Sequence, residues 1–294
     1  MHIGPTQPRV SPSLISLQKC KPVRTRILRD LSILILIFGA LWLIGSIFFF
    51  DKEDTQVLSV EKESKLGEYF FDNLTKDPQF KVIGNIYTDS CLRIILKRLT
   101  DSLNTDYDYN IYIFNNPMIN AFALPGGYIM VSSGLVGQSE KPEELAAVVA
   151  HEMGHIEEKH LIGKLVKDLG LAILMSDDPF LIGEVSRTAA STAYDRRKEK
   201  EADHFALDLM VKSSIDPRIL GVFFRKLKDE DLDYDKRFEI MMDHPNNDSR
   251  IRMALEYKLP EGFKADSIAL DWNRLKHTFN ELTSFETMDQ KKEN

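Results

Sequence analysis

"AAVVAHEMGHIEEKH", residues 146–160, decides how this chain is read. Ala146 to Ala150 form an unbroken apolar run, as in a helix buried among other elements, yet His151, Glu152 and His155 follow in the same stretch. Polar groups in such surroundings are costly unless something satisfies them. On a helix, His151 and His155 lie one turn apart and project from one side. Two imidazoles can then meet one Zn²⁺ per chain, with Glu152 aimed at a water on that ion. Neutral imidazoles leave the charge of the ion intact, so a bound water is acidified. A carboxylate beside it can take the proton and pass it to a departing amine. The expectation is a hydrolytic centre with His151 and His155 as metal ligands and Glu152 as general base.

The third ligand has to come from elsewhere. His160 is nine residues beyond His151, half a turn out of phase on a continuous helix, so it is expected to face away. The longer HExxHxxGxxH zinc motif is not met, because Glu158 and Leu161 stand where its glycine and last histidine belong. "YDRRKEKEADHFALDLM", residues 194–210, supplies a candidate. Ala202, Phe205, Ala206 and Leu209 form its apolar stripe. Stepping back along that stripe by three and seven residues reaches Glu199, with Asp203 one turn further on. Glu199 is the preferred ligand and Glu201, on another side of the helix, the fallback. Asp203 is placed to orient a ligating histidine from behind.

Around these helices the pattern predicts an α+β, mainly helical domain with a small sheet before the metal helix. Residues 59–74 read as an amphipathic helix and 86–103 as a second apolar one. Residues 109–116 alternate like a strand. Residues 120–136 look like two short strands broken at Pro125-Gly126-Gly127. Lys141-Pro142-Glu143-Glu144 starts the metal helix, with Pro142 at its first position. Residues 161–190 are apolar but interrupted, suiting a lid, a core helix or a lipid-touching surface. Further helices are expected from about Thr192 to Val211, after Asp248 as a cap, and near the C-terminus. An extended peptide binds most simply at an exposed sheet edge. Asn120, Ala121, Phe122, Ala123 and Leu124, with Gly126 and Gly127, are the candidate edge because they lead into the metal helix.

One segment departs from the globular pattern. Residues 31–50 are an uncharged apolar run of 20, long enough for one helical crossing of a bilayer. Lys19, Lys21, Arg24, Arg26 and Arg29 precede it, and Asp51, Glu53 and Asp54 follow. This asymmetry predicts a cytoplasmic N-terminus with the remainder translocated. No small-residue cleavage site follows, so residues 31–50 read as an uncleaved transmembrane signal anchor. The expected division is a basic cytoplasmic segment at 1–30, the anchor at 31–50, a linker at 51–58, a catalytic domain at 59–285 and a frayed tail at 286–294. A net charge of −7 across 294 residues argues against nucleic acid as a partner. The two cysteines, Cys20 and Cys91, flank the anchor and exclude a four-cysteine zinc site.

Together, "HEMGH" at 151–155 and "EKEAD" at 199–203 resemble the HtpX/BepA-like group of membrane-associated zinc metallopeptidases, relatives of the mitochondrial Oma-type and CAAX prenyl proteases. "NAFALPGG" and "SVEKESKLG" are similar to that group's strand and opening helix, and the likeness runs over about residues 59–256. The resemblance implies a zincin-like metallopeptidase domain with Glu199 as third zinc ligand and Asp203 closing the ExxxD motif. "DHPNNDSRI", residues 243–251, is similar to a family segment whose histidine caps the zinc at rest. His244 is therefore implied as an extra ligand in a closed state, or as a group near the substrate oxyanion. Arg250 is either a stabiliser of negative charge in the site or a member of a structural ion pair. The function so implied is a membrane-anchored zinc endopeptidase acting on unfolded or misassembled proteins in envelope quality control. It would sit in a bacterial inner membrane with a periplasmic catalytic domain, or in a eukaryotic organelle membrane. The alternative is a zinc-stabilised scaffold or chaperone that holds clients without cutting.

Overall fold

The computed structural model describes residues 33, 35–40, 58–169, 185, 194–230, 244 and 248–293. The chain divides into two units, residues 1–53 and 54–294. In the first unit residues 33 and 35–40 are helical, and Ile33, Ile35, Leu36, Ile37 and Phe38 are exposed. The expected anchor at 31–50 falls mostly outside the described residues. Among those described, no helix is long and apolar enough to cross a membrane.

The second unit opens with α1 (Val60–Leu74), whose buried residues Glu63, Gly67, Phe70 and Leu74 recur at helical spacing. Helix α2 (Ile86–Thr100) begins at Asn85, which caps the Tyr87 and Thr88 amides while the Thr88 hydroxyl accepts from the Asn85 amide. Three strands follow, β1 (Asn110–Phe114), β2 (Ala121–Leu124) and β3 (Tyr128–Ser132). They form one sheet in the order β1-β3-β2. β1 runs parallel to β3, with Asn110 opposite Tyr128. β2 runs antiparallel to it, with Ala121 opposite Val131. Gly126 and Gly127, at φ of 71° and 95°, make the turn between β2 and β3 in a region that side chains resist.

Both faces of this sheet are covered, which is why β2 and β3 read as apolar runs rather than clean alternations. Ala121, Ala123, Ile129 and Val131 join the larger core with Ile95 and Leu99 of α2 and the metal helix. Phe122, Leu124 and Met130 face the other way, into a core built with Phe70, Leu74, Leu161, Ile162 and Leu165.

The sequence reading extends strand structure to residue 136, but a short helix, α3 (Ser133–Gln138), begins there, capped by the Ser132 hydroxyl on the Leu135 amide. The metal helix is α4 (Pro142–Glu157), buried at every position from Pro142 to Ile156. Lys159, at φ 51°, breaks the chain before α5 (His160–Leu169). Three of the first six residues of α5 enter the core, and the rest of the 161–190 segment apart from Val185 lies outside the described residues. Helix α6 (Arg196–Lys212) starts at Asp195, whose carboxylate accepts from the Arg197 and Lys198 amides. Helix α7 (Arg218–Glu230) lacks a motif and was not anticipated, although Leu220, Phe223, Phe224 and Leu227 line the core. Asp248, expected as a cap, is the first residue of α8 (Asp248–Leu255) and pairs with Lys228. The last helix, α9 (Trp272–Glu293), continues through the residues expected to fray. The domain is thus mainly helical with a small three-stranded sheet, as anticipated.

Candidate metal centre

The centre is built where α4 crosses α6 with almost no gap. A Cβ placed on Gly154 would come within 2.9 Å of the Ala202 Cα and carbonyl oxygen, so the two backbones touch here. This contact brings the α4 histidines to Glu199 in the first turn of α6. His151 and His155 turn their Nε2 atoms toward each other at 3.2 Å. Glu199 lies 3.5 Å from His151 Nε2 through Oε2 and 3.5 Å from His155 Nε2 through Oε1. His244 adds Nδ1, 3.3 Å from His151 Nε2 and 3.0 Å from Glu199 Oε1. One donor from each of the four residues falls within 4.8 Å of the others, and all four are buried.

These spacings fit a cation. Donors held about 2.0–2.1 Å from a tetrahedral ion stand about 3.3 Å from one another. Two imidazole lone pairs facing each other in a buried site also need a shared positive charge or a proton between them. The nitrogen and carboxylate set suits zinc among the common divalent ions.

Behind the donors lies a second layer of charge. Asp203 Oδ1 is 3.0 Å from His151 Nδ1, the nitrogen turned away from the centre. Arg250 grips Asp203 through Nε at 2.6 Å and Nη2 at 2.7 Å, and reaches Glu199 Oε2 through Nη1 at 2.6 Å. Its guanidinium lies 5.0 Å from the Phe224 ring centroid. Arg250 is therefore ion-paired with Glu199 and Asp203 of α6, one of the two roles expected of it. Glu201, the fallback ligand, is not among the four grouped donors. Its side chain is 40% exposed and its carboxylate meets His160.

His160 departs most from expectation. The half-turn argument assumes a helix running on through residue 160, but the break at Lys159 starts a new one. The His160 ring then comes back to His155, Nδ1 to Nδ1 at 2.9 Å. Tyr194 also went unnoticed in the sequence, and it stacks on His155 with ring centroids 4.0 Å apart. No spacing signal marks Tyr194, because it precedes α6 and sits on no periodic face.

Glu152 has two buried carboxylate oxygens without a well-formed hydrogen bond. The Ala123 amide faces it from β2, and His244 Nε2 is 3.5 Å from its Oε1. Burial pushes the Glu152 carboxyl up, against the pull of His244 and His151. Burial also opposes charge on Glu199, but the His244 and His151 rings outweigh it and hold Glu199 below its usual range. On Asp203 burial is likewise overcome, by Arg250 and then His151. Burial disfavours the His151 cation, yet Asp203 and Glu199 raise that ring to about 9. His155 is lowered by burial and by the neighbouring His151 and His244. The pair is thus polarised unequally: Glu199 faces both rings at 3.5 Å, but only His151 has a second carboxylate, Asp203, behind it.

β2 is the sheet edge beside this centre. The Asn120 carbonyl accepts from the Ser132 amide, so alternate residues 120, 122 and 124 spend their backbone groups on β3. By the same alternation the amides and carbonyls of Ala121 and Ala123 point out of the sheet, and the Ala123 amide meets Glu152. Gly126 and Gly127 serve the turn and pack against α1 and Asp108, away from this edge.

Comparison with known proteins covers the same part of the chain. The model of peptidase family M48 matches residues 88–258. The beta-barrel assembly-enhancing protease of Yersinia pestis is 26% identical over 216 residues, 66% of this chain and 43% of the relative. Mitochondrial metalloendopeptidase OMA1 of Arabidopsis thaliana is 29% identical over 158 residues, 52% of this chain and 32% of the relative. Metalloprotease LoiP of Escherichia coli is 27% identical over 185 residues, 59% of this chain and 71% of the relative. The chain spans less than half the length of the first of these relatives. The family match covers more than half of the chain and takes in His151, Glu152, His155, Glu199, Asp203, His244 and Arg250, and the chain belongs to peptidase family M48.

Proposed function

We propose that this chain is a membrane-anchored zinc endopeptidase that cleaves unfolded or misassembled proteins. The observation that carries the reading is the meeting of His151, His155 and Glu199 beside a buried Glu152 whose carboxylate faces the Ala123 amide without a well-formed hydrogen bond. A bound Zn²⁺ would polarise the scissile carbonyl and acidify a water next to it. His151, His155 and Glu199 would hold it, with Asp203 behind His151 and Arg250 on Glu199 keeping these two in place. Glu152 takes the proton of the attacking water and delivers it to the leaving amine, a task suited to a carboxyl already raised by burial. The Ala121 backbone and the Ala123 carbonyl point out of β2, a buried edge where an extended peptide would have to make room to lie as an added strand, a mode that reads backbone more than side chains.

His244 occupies the remaining donor position and stands 3.5 Å from Glu152, so it must withdraw before a substrate carbonyl can enter. That arrangement is a resting state. It also favours the second reading, a zinc-stabilised scaffold or chaperone, because four protein donors are typical of structural zinc. The names of the relatives, one mitochondrial and one tied to β-barrel assembly, support an envelope or organelle setting. We place the anchor at residues 31–50 in a bacterial inner membrane with the catalytic unit in the periplasm, an organelle membrane being the alternative.

Glu152→Gln separates the readings. It should hold zinc at one equivalent yet lose cleavage of unfolded casein, while His244→Ala should cleave faster than the parent. A parent that holds zinc but cuts nothing, with His244→Ala equally inert, would leave only the scaffold.

A further inference from the structure

We propose that His160, backed by Glu201, is a positioning residue that fixes the tautomer of His155 and aims its Nε2 at the metal position. The proposal rests on the metal-centre reading above. Each of the paired histidines would then be held from behind by its own partner, His151 by Asp203 and His155 by His160.

His155 turns Nε2 toward the donors, 3.2 Å from His151 Nε2 and 3.5 Å from Glu199 Oε1. Its other nitrogen is 2.9 Å from His160 Nδ1. At that distance two bare nitrogens repel and two protonated ones clash, so one proton lies between the rings. If His160 owned that proton, neutral His155 would carry its own on Nε2 and could not donate a lone pair to a cation. The proton therefore belongs to His155 Nδ1, and His160 accepts it. His160 then bears its own proton on Nε2, where Glu201 Oε2 waits at 3.1 Å with only acceptors to offer. The three groups form one directional chain, Glu201 to His160 to His155.

The fold holds His160 to this task. Lys159 turns the backbone at φ 51°, which brings residue 160 back against α4 instead of onward past it. Lys198 Nζ donates to the His160 carbonyl at 3.2 Å, and the His160 ring is 4% exposed. Tyr194 covers both rings, with centroids 4.0 Å from His155 and 5.9 Å from His160. Glu201 is half-exposed and also faces Arg197 at 3.7 Å, so its share of the effect is the smaller one.

The test uses the full-length zinc-loaded protein and three measurements. The first is the ¹⁵N spectrum of its labelled histidine rings, which reads each tautomer directly. His160 should be protonated on Nε2 and bare on Nδ1. The second is zinc affinity by chelator competition. His160→Phe, which keeps the bulk but removes the acceptor, should loosen zinc by about 10–100-fold. His160→Asn, whose Oδ1 stands near the place of Nδ1, should recover most of that loss. The third is the visible spectrum of the cobalt-substituted protein, which should change in His160→Phe and return toward the parent in His160→Asn.

A His160 protonated on Nδ1 overturns the proposal. So does a His160→Phe that holds zinc as tightly as the parent, or a His160→Asn that is no better than it. Should His160→Phe fail to fold, the ring spectrum of the parent still decides. A parent that binds no metal at all would sink the metal centre and the relay together. Tight binding in the parent with no loss in His160→Phe sinks the relay alone.

Discussion

Gly154→Ala tests whether the backbone contact between α4 and α6 sets the metal centre. The added Cβ would lie 2.9 Å from the Ala202 Cα and carbonyl oxygen and 3.3 Å from its carbonyl carbon, all of them backbone atoms that have no rotamer to change. Carbon atoms pack at about 3.5–4.0 Å, so α6 has to retreat by roughly 0.6–1 Å at this point. Overpacking of this kind costs about 1–3 kcal/mol, and replacing a helical glycine by alanine returns about 1 kcal/mol. The metal-free fold should therefore lose only about 0–2 kcal/mol. The donors have less room. Metal–ligand distances tolerate about 0.2 Å, and the retreat carries Glu199 away from both Nε2 atoms, which it now faces at 3.5 Å. Zinc affinity should fall by at least the 10–100-fold typical of displaced ligand support. Urea unfolding of the metal-free protein and chelator competition on the loaded one measure the two effects. Unchanged zinc affinity in Gly154→Ala would refute the claim that this helix contact positions Glu199.

Four other perturbations follow from the same geometry. Arg250→Gln leaves Glu199 and Asp203 buried without their cation and should cost about 3–5 kcal/mol, with Arg250→Lys intermediate because the fork is lost; a urea-derived loss under about 1 kcal/mol would contradict this. Burial, then the Glu63 carboxylate, raises the Tyr107 phenol, so its contribution to stability is complete below the ordinary tyrosine value of 10.0 and is lost as pH rises toward the higher folded value. The stability gap between the parent and Tyr107→Phe should accordingly narrow above pH 10, and a gap that widens there would reverse the assignment. Zinc in thousandfold excess over its Kd should stabilise the parent by about 4 kcal/mol, and a Tm indifferent to chelation would deny a site in the native state. Ala121→Pro removes an outward amide from β2, and because Ala121 is fully buried its cost to stability is to be read first by urea unfolding. It should lower kcat/KM for an extended peptide by about 5–10-fold, and an unchanged value would move the substrate elsewhere.

What could be read in the sequence, and what could not, follows one physical line. His151, Glu152 and His155 were legible because a helix converts spacing directly into direction, and the apolar stripe of α6 extended that logic to Glu199 and Asp203. The same rule misled at His160, where a single left-handed residue, Lys159, ended the helix on which the phase was being counted. Nothing in the type of Lys159 announces that conformation. The boundary after β3 was missed because Ser132 ends the strand as a cap, a role shared by many serines that cap nothing. Helix α7 carries no chemistry-bearing motif, so its part in the core, with Phe224 against His151 and Arg250, appears only in three dimensions.

The role of Arg250 was undecidable from sequence because it depends on a balance of charge across three elements. Glu152, Glu199 and Asp203 are all buried, and Arg250 is the buried guanidinium that meets two of them. With the imidazoles neutral, three carboxylates against one guanidinium leave a net charge of −2. Without Arg250 it would be −3, and the α6 carboxylates, one turn apart on the same face, would repel each other strongly enough to take up protons. A protonated Glu199 is a poor ligand, so the guanidinium keeps the third donor competent while it stays clear of the reacting side. A divalent cation would then bring the whole cluster to neutrality, which suits a site closed to water. Glu152, the one carboxylate of the three that Arg250 does not touch, is left as the group able to accept the proton. The division of labour follows from where the cation is placed: two carboxylates are tied down to hold and orient, and the third is left unpaired to react.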